Sequence, residues 1–285
     1  MSPTLGRRLT EAAGVLSEIS ESPRLDAELL LAHALGLTRS QLLARLHTTA
    51  AASGFDALLE RRLAHEPVAY ILGEWEFFSL PLYVEAPILV PRPETEHLVE
   101  AVLDFIGNSP ARVLDLCTGS GCVALAIAKN APQCRVTATD RNPQALALAQ
   151  QNAARLGVED RVVFRLGDLF GALTESSGAF NAICANPPYV EDGAWDELAP
   201  DIRDYEDPRA LLAGPEGLDL IDRIAREAGA WLEPGGFLAL EIGMGQYSSV
   251  GGLLSGYGFT RIDSRRDLAG IDRIVTARAP FRVEG

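Results

Sequence analysis

The chain has 285 residues, 47% of them apolar, and carries a net charge of −14 in which Lys129 is the only lysine. That length builds one large domain or two smaller ones, no apolar run is long enough to span a bilayer, and the first residues lack the apolar core and cleavage site of a secretory signal. The acidic balance weighs against a protein held on nucleic acid by phosphate contacts, so a cytoplasmic protein with a basic protein partner, no direct nucleic acid and no membrane is expected.

Residues 1–73 read as a small helical bundle. Leu25, Leu29, Leu30 and Leu35 form one helical stripe that Gly36 can end, Leu42, Leu43 and Leu46 a second, and Phe55, Leu58, Leu59 and Leu63 a third, stopped near Pro67. Residues 74–90 are dense in aromatic and β-branched side chains and read as a β-hairpin linking two domains. A helix should follow with Pro93, Glu94 and Glu96 in its first turn, where unpaired N–H groups and the positive dipole end suit proline and acids. Its apolar face is Leu98, Val102 and Ile106.

From residue 91 to 285 strands alternate with helices. Candidate strands are Arg112–Leu116, Arg135–Thr139, Arg161–Leu166, Phe180–Ala185, Gly236–Glu241, Phe259–Ser264 and Arg273–Ala277. The clearest helix runs from Asn142, a capping residue, through Pro143 to Leu156, with Gly157 ending it. This alternation predicts an α/β fold with a mostly parallel, doubly wound sheet. The last two strands have no evident helix between them and should pair antiparallel. Cys117, Cys122, Cys134 and Cys184 form no Cys-x-x-Cys pair and read as buried free thiols, and the histidines lack paired-ligand spacing, so no metal is expected.

Asp115-Leu-Cys-Thr-Gly-Ser-Gly121 joins a strand to a helix, and its glycines allow a ligand close to the backbone. Gly119-x-Gly121-x-x-Ala124 also satisfies the relaxed dinucleotide fingerprint, and Asp140, ending the next strand, is placed to bind ribose hydroxyls in either cofactor class. Two features favour S-adenosylmethionine. Asp115 can hold an ammonium through intervening groups, and Asp168 can accept from an adenine amine while Leu169 or Phe170 packs the ring. An acid in a surface turn is the other reading of Asp168, and both stand.

Asn186-Pro187-Pro188-Tyr189 follows an apolar strand, where ligands bind in open α/β sheets. An amide nitrogen is a poor nucleophile because its lone pair is delocalised. The Asn186 oxygen and a backbone carbonyl, that of Pro187, can accept hydrogen bonds from such an NH2 group and stabilise positive charge as it is alkylated. The two prolines stiffen the turn and donate nothing, and Tyr189 offers a flat face to a planar acceptor. Adenine-N6 methyltransferases acting on DNA or RNA and glutamine methyltransferases both carry this tetrapeptide. A nicotinamide oxidoreductase would leave it unexplained.

The remaining motifs separate these readings. Pro67-Val-Ala-Tyr-Ile-Leu-Gly73, Phe77, Val90-Pro-Arg-Pro-Glu-Thr-Glu96, the Asp115–Cys122 loop, Asn186–Tyr189, Glu216-Gly-Leu218, Gly235-Gly236 with Glu241, and Asp267-Leu-Ala-Gly-Ile-Asp-Arg273 resemble, in order and spacing, the release factor glutamine methyltransferase family. The resemblance covers nearly the whole chain. It implies a Rossmann-like class I S-adenosylmethionine methyltransferase domain over 91–285. The bundle, a separate helical unit with no catalytic motif of its own, is expected to recognise the substrate. The implied substrate is the glutamine of the Gly-Gly-Gln loop of class I peptide chain release factors. It further implies that Cys117, Thr118, Gly119, Ser120, Gly121, Asp140, Asp168, Leu169 and Asn186 bind the cofactor. Asn186, Pro187, Pro188 and Tyr189 would hold the glutamine, with Arg92 and Glu94 lining the site. Two departures stand out. Cys117 replaces a common glycine, which an ordinary backbone conformation would tolerate. The Glu206-Asp207-Pro208 stretch reads as a solvated acidic loop or a partner contact.

Overall fold

A computed structural model describes residues 3–280. The chain divides into two compact units. The first runs to Glu74 and also takes in Ala199–Tyr205; the second is Trp75–Leu198 with the chain from Glu206 onward.

In the first unit the helices are α1 (Leu5–Leu16), α2 (Pro23–Ala34), α3 (Arg39–Leu43), α4 (Phe55–Leu63) and α5 (Val68–Leu72). The buried face of α2 is Ala27, Leu30 and Leu31, whereas Leu25 is 39% exposed. The stripe is rotated from the expected one because α2 also buries Asp26 and Glu28. Asp26 accepts from Arg62 of α4 at 2.9 Å, and Glu28 bridges Arg24 and Arg39. Paired and hydrogen-bonded, these acids escape the penalty of a lone buried charge. The returning segment is bound in the same manner: Tyr205 donates its hydroxyl to the Ala64 carbonyl at 2.8 Å.

The hairpin is β1 (Glu74–Phe77) and β2 (Leu80–Tyr83). Its two turn residues, Phe78 and Ser79, both have positive φ, the conformation that matches a two-residue turn to strand twist. Helix α6 (Glu96–Ile106) then buries Leu98, Val102 and Ile106 as expected.

The sheet strands and their neighbours follow: β3 (Arg112–Leu116), α7 (Cys122–Asn130), β4 (Arg135–Asp140), α8 (Pro143–Leu156), β5 (Val162–Leu166) and β6 (Phe180–Ala185). After the short α9 (Pro200–Arg203) of the first unit come α10 (Asp219–Trp231), β7 (Leu232–Glu241), α11 (Tyr247–Gly256), β8 (Thr260–Arg266) and β9 (Asp272–Arg278). Strand order is β5-β4-β3-β6-β7-β9-β8. Pairs from β5 to β7 are parallel, and β9 runs antiparallel to both β7 and β8. This is the expected Rossmann-like class I methyltransferase sheet. Two apolar cores flank it, one built on α6 and α7 and the other on α10 and α11. The strand order reverses at β3, which has β4 on one side and β6 on the other, so a crevice opens beyond their C-terminal ends. Among the described residues no helix is long and apolar enough to cross a membrane.

Candidate active site

Four strand ends, those of β3, β4, β5 and β6, feed the crevice. From β3 comes the loop Cys117–Gly121. Gly121 has φ +85, and a Cβ there would stand 3.0 Å from both Ala149 Cβ and Leu125 Cδ1, so only glycine lets α7 approach α8. The Gly119 N–H donates to Asp140 Oδ2 at 2.9 Å. The Thr118 hydroxyl donates to Asp115 Oδ2 at 2.6 Å. Asp115 is buried, and the loss of water pushes its pKa up to about 7 against the pull of Thr118. Cys117 departs from expectation: its φ is +58, a left-handed conformation costing a non-glycine residue about 1–2 kcal/mol. The cysteine holds a glycine conformation here.

The loop is pinned by a residue the sequence reading passed over. Asn152, on the buried face of α8, donates to the Ser120 carbonyl at 3.0 Å. It also accepts from the Tyr83 N–H at 2.7 Å and donates to the Tyr83 carbonyl at 3.0 Å, pairing with that residue as a strand would. The available signal was its register, since Ala145, Leu148, Ala149 and Asn152 fall on one helical stripe, and a polar residue there needs buried partners.

A cavity of about 330 Å³ lies against these elements, lined by Cys117, Gly119, Asp140, Asp168, Leu169, Asn186 and Pro188 among others. Asp140 ends β4 with both carboxylate oxygens fixed by backbone N–H groups, Oδ2 by Gly119 and Oδ1 by Asn142 at 2.8 Å. Burial raises its pKa. Asp168 borders the cavity and, half-exposed itself, pairs with Arg223 at 2.6 Å. Leu169, buried with φ +48, supplies an apolar wall.

A second cavity of about 30 Å³ adjoins, lined by Arg92, Thr95, Asp115, Cys117, Thr118, Gly119, Ser120 and Asn186 among others. Asn186 borders both cavities. Its Nδ2 donates to the buried Thr95 hydroxyl at 3.1 Å, which leaves Oδ1 as the free acceptor of that amide. Pro188 reaches the larger cavity, whereas Gly121, Glu94, Pro187 and Tyr189 line neither. The Tyr189 hydroxyl donates instead to Glu241 Oε1 at 3.3 Å, and its carbonyl accepts from Gln246 at 3.0 Å.

Arg92 is held by one nitrogen at 2.8 Å from both oxygens of Glu206. Glu206 also accepts from the Val90 N–H at 3.3 Å. Glu206 and Asp207 are both buried, so this stretch is not a solvated loop. It is a structural acidic pair, in which Glu206 anchors the arginine and Asp207 caps the turn at Arg209. Thr95, Glu206 and Glu241 are thus further site residues. Thr95 and Glu241 stood inside motifs, but nothing in their spacing announced that they meet the tetrapeptide, Thr95 at Asn186 and Glu241 at Tyr189. The four cysteines are free, and among the described residues no His, Cys, Asp and Glu cluster could hold a metal.

Comparison with known proteins agrees along the chain. A family model described as the PrmC N-terminal domain matches residues 8–73, and one described as the methyltransferase small domain matches residues 95–201. A release factor glutamine methyltransferase of Cereibacter sphaeroides is 43% identical over 265 residues, covering 92% of this chain and 93% of its own. One from Thermodesulfovibrio yellowstonii is 40% identical over 255 residues, covering 88% and 90%. Among solved structures, a methyltransferase from Pyrococcus furiosus superposes with a TM-score of 0.55 at 17% identity, covering 80% of this chain and all of that one, a likeness of fold.

Proposed function

This chain belongs to the family of release factor glutamine methyltransferases, and from that premise we propose that it methylates the side-chain amide nitrogen of the glutamine in the Gly-Gly-Gln loop of class I peptide chain release factors. It is an S-adenosylmethionine-dependent protein-glutamine N-methyltransferase. The observation that carries the reading of the site is the place of Asn186: it borders both cavities with its amide nitrogen committed to Thr95 and its oxygen free to accept.

The residues present fit the cofactor. A fixed, buried carboxylate at Asp140 suits a pair of ribose hydroxyls, and Leu169 offers an apolar face to a purine. The volume of the larger cavity falls at the lower end of small-molecule sites. When bound, S-adenosylmethionine supplies an electrophilic methyl group on a positively charged sulfur. The chain's own residues do the rest. Cys117–Gly121, Asp140, Asp168 and Leu169 bind the cofactor. Asn186 Oδ1 and the Pro187 carbonyl accept the two protons of the substrate NH2, which orients the nitrogen and stabilises the positive charge it gains. Pro188 stiffens the turn, and Tyr189, fixed at its hydroxyl and its carbonyl, presents a wall to the planar amide. Arg92 and Glu94 stand toward the substrate side, Arg92 held in one pose by Glu206. The helical unit recognises the release factor beyond the reacting loop.

Asp140→Ala should raise the dissociation constant for S-adenosylmethionine about 10- to 100-fold, the worth of charge-assisted hydrogen bonds to two hydroxyls. Calorimetric titration reads this directly, and an unchanged constant would remove Asp140 from the ribose site. The function itself is tested by methyl transfer from labelled S-adenosylmethionine with purified release factor and duplex DNA in parallel. Label should enter the release factor and vanish when the Gly-Gly-Gln glutamine is replaced. Label on DNA alone would overturn the substrate.

A further inference from the structure

Gln246 precedes α11, and its side chain reaches back to three loops of the second unit. Its Oε1 accepts from the Gly243 N–H, just after β7, at 2.8 Å. Its Nε2 donates to the Tyr189 carbonyl at 3.0 Å and lies 3.4 Å from the carbonyls of Glu216 and Gly217. Turned over, this amide would set its oxygen against three carbonyls and its NH2 against an N–H, so its neighbours fix its orientation. Gly217 closes in from the other side. It has φ +65, and a Cβ there would run into the Tyr189 carbonyl oxygen and stand 2.9 Å from Gln246 Nε2. Only glycine lets the turn before α10 lie so close. The motif Glu216-Gly-Leu218, which neither the cofactor nor the substrate amide accounts for, thus meets the tetrapeptide at the same atom as Gln246.

The tetrapeptide needs such a hold. Pro187 and Pro188 carry no N–H, so the middle of the loop has no backbone donor to tie it to the fold. Its prolines make it stiff, and its ends set its place. At the first end the Asn186 side chain donates to Thr95 at 3.1 Å. At the other, the Tyr189 hydroxyl reaches Glu241 at 3.3 Å, but that bond holds the tip of the ring, far from the backbone. Gln246 grips the backbone itself. The next N–H, that of Val190, donates to the Leu211 carbonyl at 2.8 Å, so the Tyr189–Val190 peptide is fixed on both sides.

We propose that Gln246 is a positioning residue for methyl transfer. By orienting the Tyr189–Val190 peptide it holds the Pro187 carbonyl and the Tyr189 ring where the substrate amide must meet them. This rests on the functional reading above. Without the Gln246 amide the stiff loop is free to pivot about Asn186. Asp140, Leu169 and the Cys117–Gly121 loop, which meet the cofactor, follow other strands and keep their own hydrogen bonds and packing. A misplacement of about 1 Å at a reacting centre can cost about 10²-fold in rate. The defect therefore belongs in turnover and not in cofactor binding.

Q246E separates this role from packing, because a carboxylate keeps the shape and the acceptor for Gly243 but has nothing to donate to Tyr189. Turnover should fall about 30-fold, with the S-adenosylmethionine dissociation constant within about threefold of wild type. Q246L should do the same. G217A, which drives a methyl group into the Tyr189 carbonyl from the other side, should cost as much, each variant being first checked for a folded thermal transition. In the free enzyme the Tyr189 carbonyl 13C resonance should move upfield in Q246E and Q246L, as a carbonyl's does when it loses a donor. Wild-type turnover in Q246E and Q246L, a Tyr189 resonance that stays put, or a cofactor affinity that falls along with the rate overturns the proposal. Transfer is read on whichever acceptor the wild type labels. Were that duplex DNA and not release factor, the substrate reading would fall, and the ratio of variant to wild-type rate would still judge Gln246.

Discussion

Replacing Asn186 with alanine is expected to cut turnover about 10²- to 10³-fold, with the S-adenosylmethionine dissociation constant moving less than about tenfold. The asymmetry follows from where the side chain stands. Most of the cofactor surface is met by Asp140, Leu169 and the Cys117–Gly121 backbone, and Asn186 contributes one residue to that lining. Its free oxygen faces a different demand. A glutamine amide gains nucleophilicity only as its lone pair leaves conjugation, and an acceptor positioned before reaction stabilises that change at no cost of reorganisation. Alanine removes the acceptor and strands the Thr95 hydroxyl, which then lacks the donor it had at 3.1 Å. Asn186→Asp is the sharper comparison. It keeps an acceptor but gives up the donation to Thr95, so its rate should lie between wild type and alanine. Single-turnover transfer to release factor, with cofactor binding measured separately, reads both expectations. An alanine variant with near-normal turnover would assign the acceptor role elsewhere.

Asn152→Leu is expected to destabilise the second unit by about 3–5 kcal/mol, although leucine is similar in shape. Three backbone groups lose their partner at once: the partly buried Tyr83 N–H and carbonyl, and the buried Ser120 carbonyl. Leaving each unsatisfied costs about 1–3 kcal/mol, a large share of a typical 5–15 kcal/mol. In a unit of this size the apparent Tm should fall by roughly 10 °C. Cofactor affinity should fall as well, because Ser120 sits in the glycine loop. A leucine variant that melts like wild type would show that the hairpin and loop are held by packing alone.

What could be read from the sequence divides along physical lines. The strand β3 was delimited to the residue because it is a short apolar segment running into the glycine turn, and α8 because Asn142, Pro143 and Gly157 punctuate it. The antiparallel end of the sheet followed from the lack of a helix between the last two strands. Harder to read were features decided by partners distant in the chain. The left-handed conformation of Cys117 is imposed by the loop and not encoded by cysteine. The burial of Glu206 depends on Arg92, more than a hundred residues earlier, and an acid beside proline reads as exposed until that arginine is known. Asn152 and Glu241 share that origin. A polar residue in an apolar stripe or at a strand end signals that it has buried partners, without naming them. The tetrapeptide reads similarly: its residue types state the chemistry, but only the fold shows that Asn186 and Pro188 border the cavity while Tyr189 turns to a buried acid.

The excursion of Ala199–Tyr205 into the helical unit has a consequence for how the protein is made. On the ribosome, the helices before Glu74 emerge first, yet the last piece of their unit, with Tyr205 to bind the Ala64 carbonyl, lies beyond β6 and the Asn186 loop. At about 5–20 residues per second, the nascent bundle waits on the order of ten seconds for its own completing segment. The unit begun first is therefore interrupted by the first half of the second, and a chain stalled before residue 199 carries a bundle that is still unfinished.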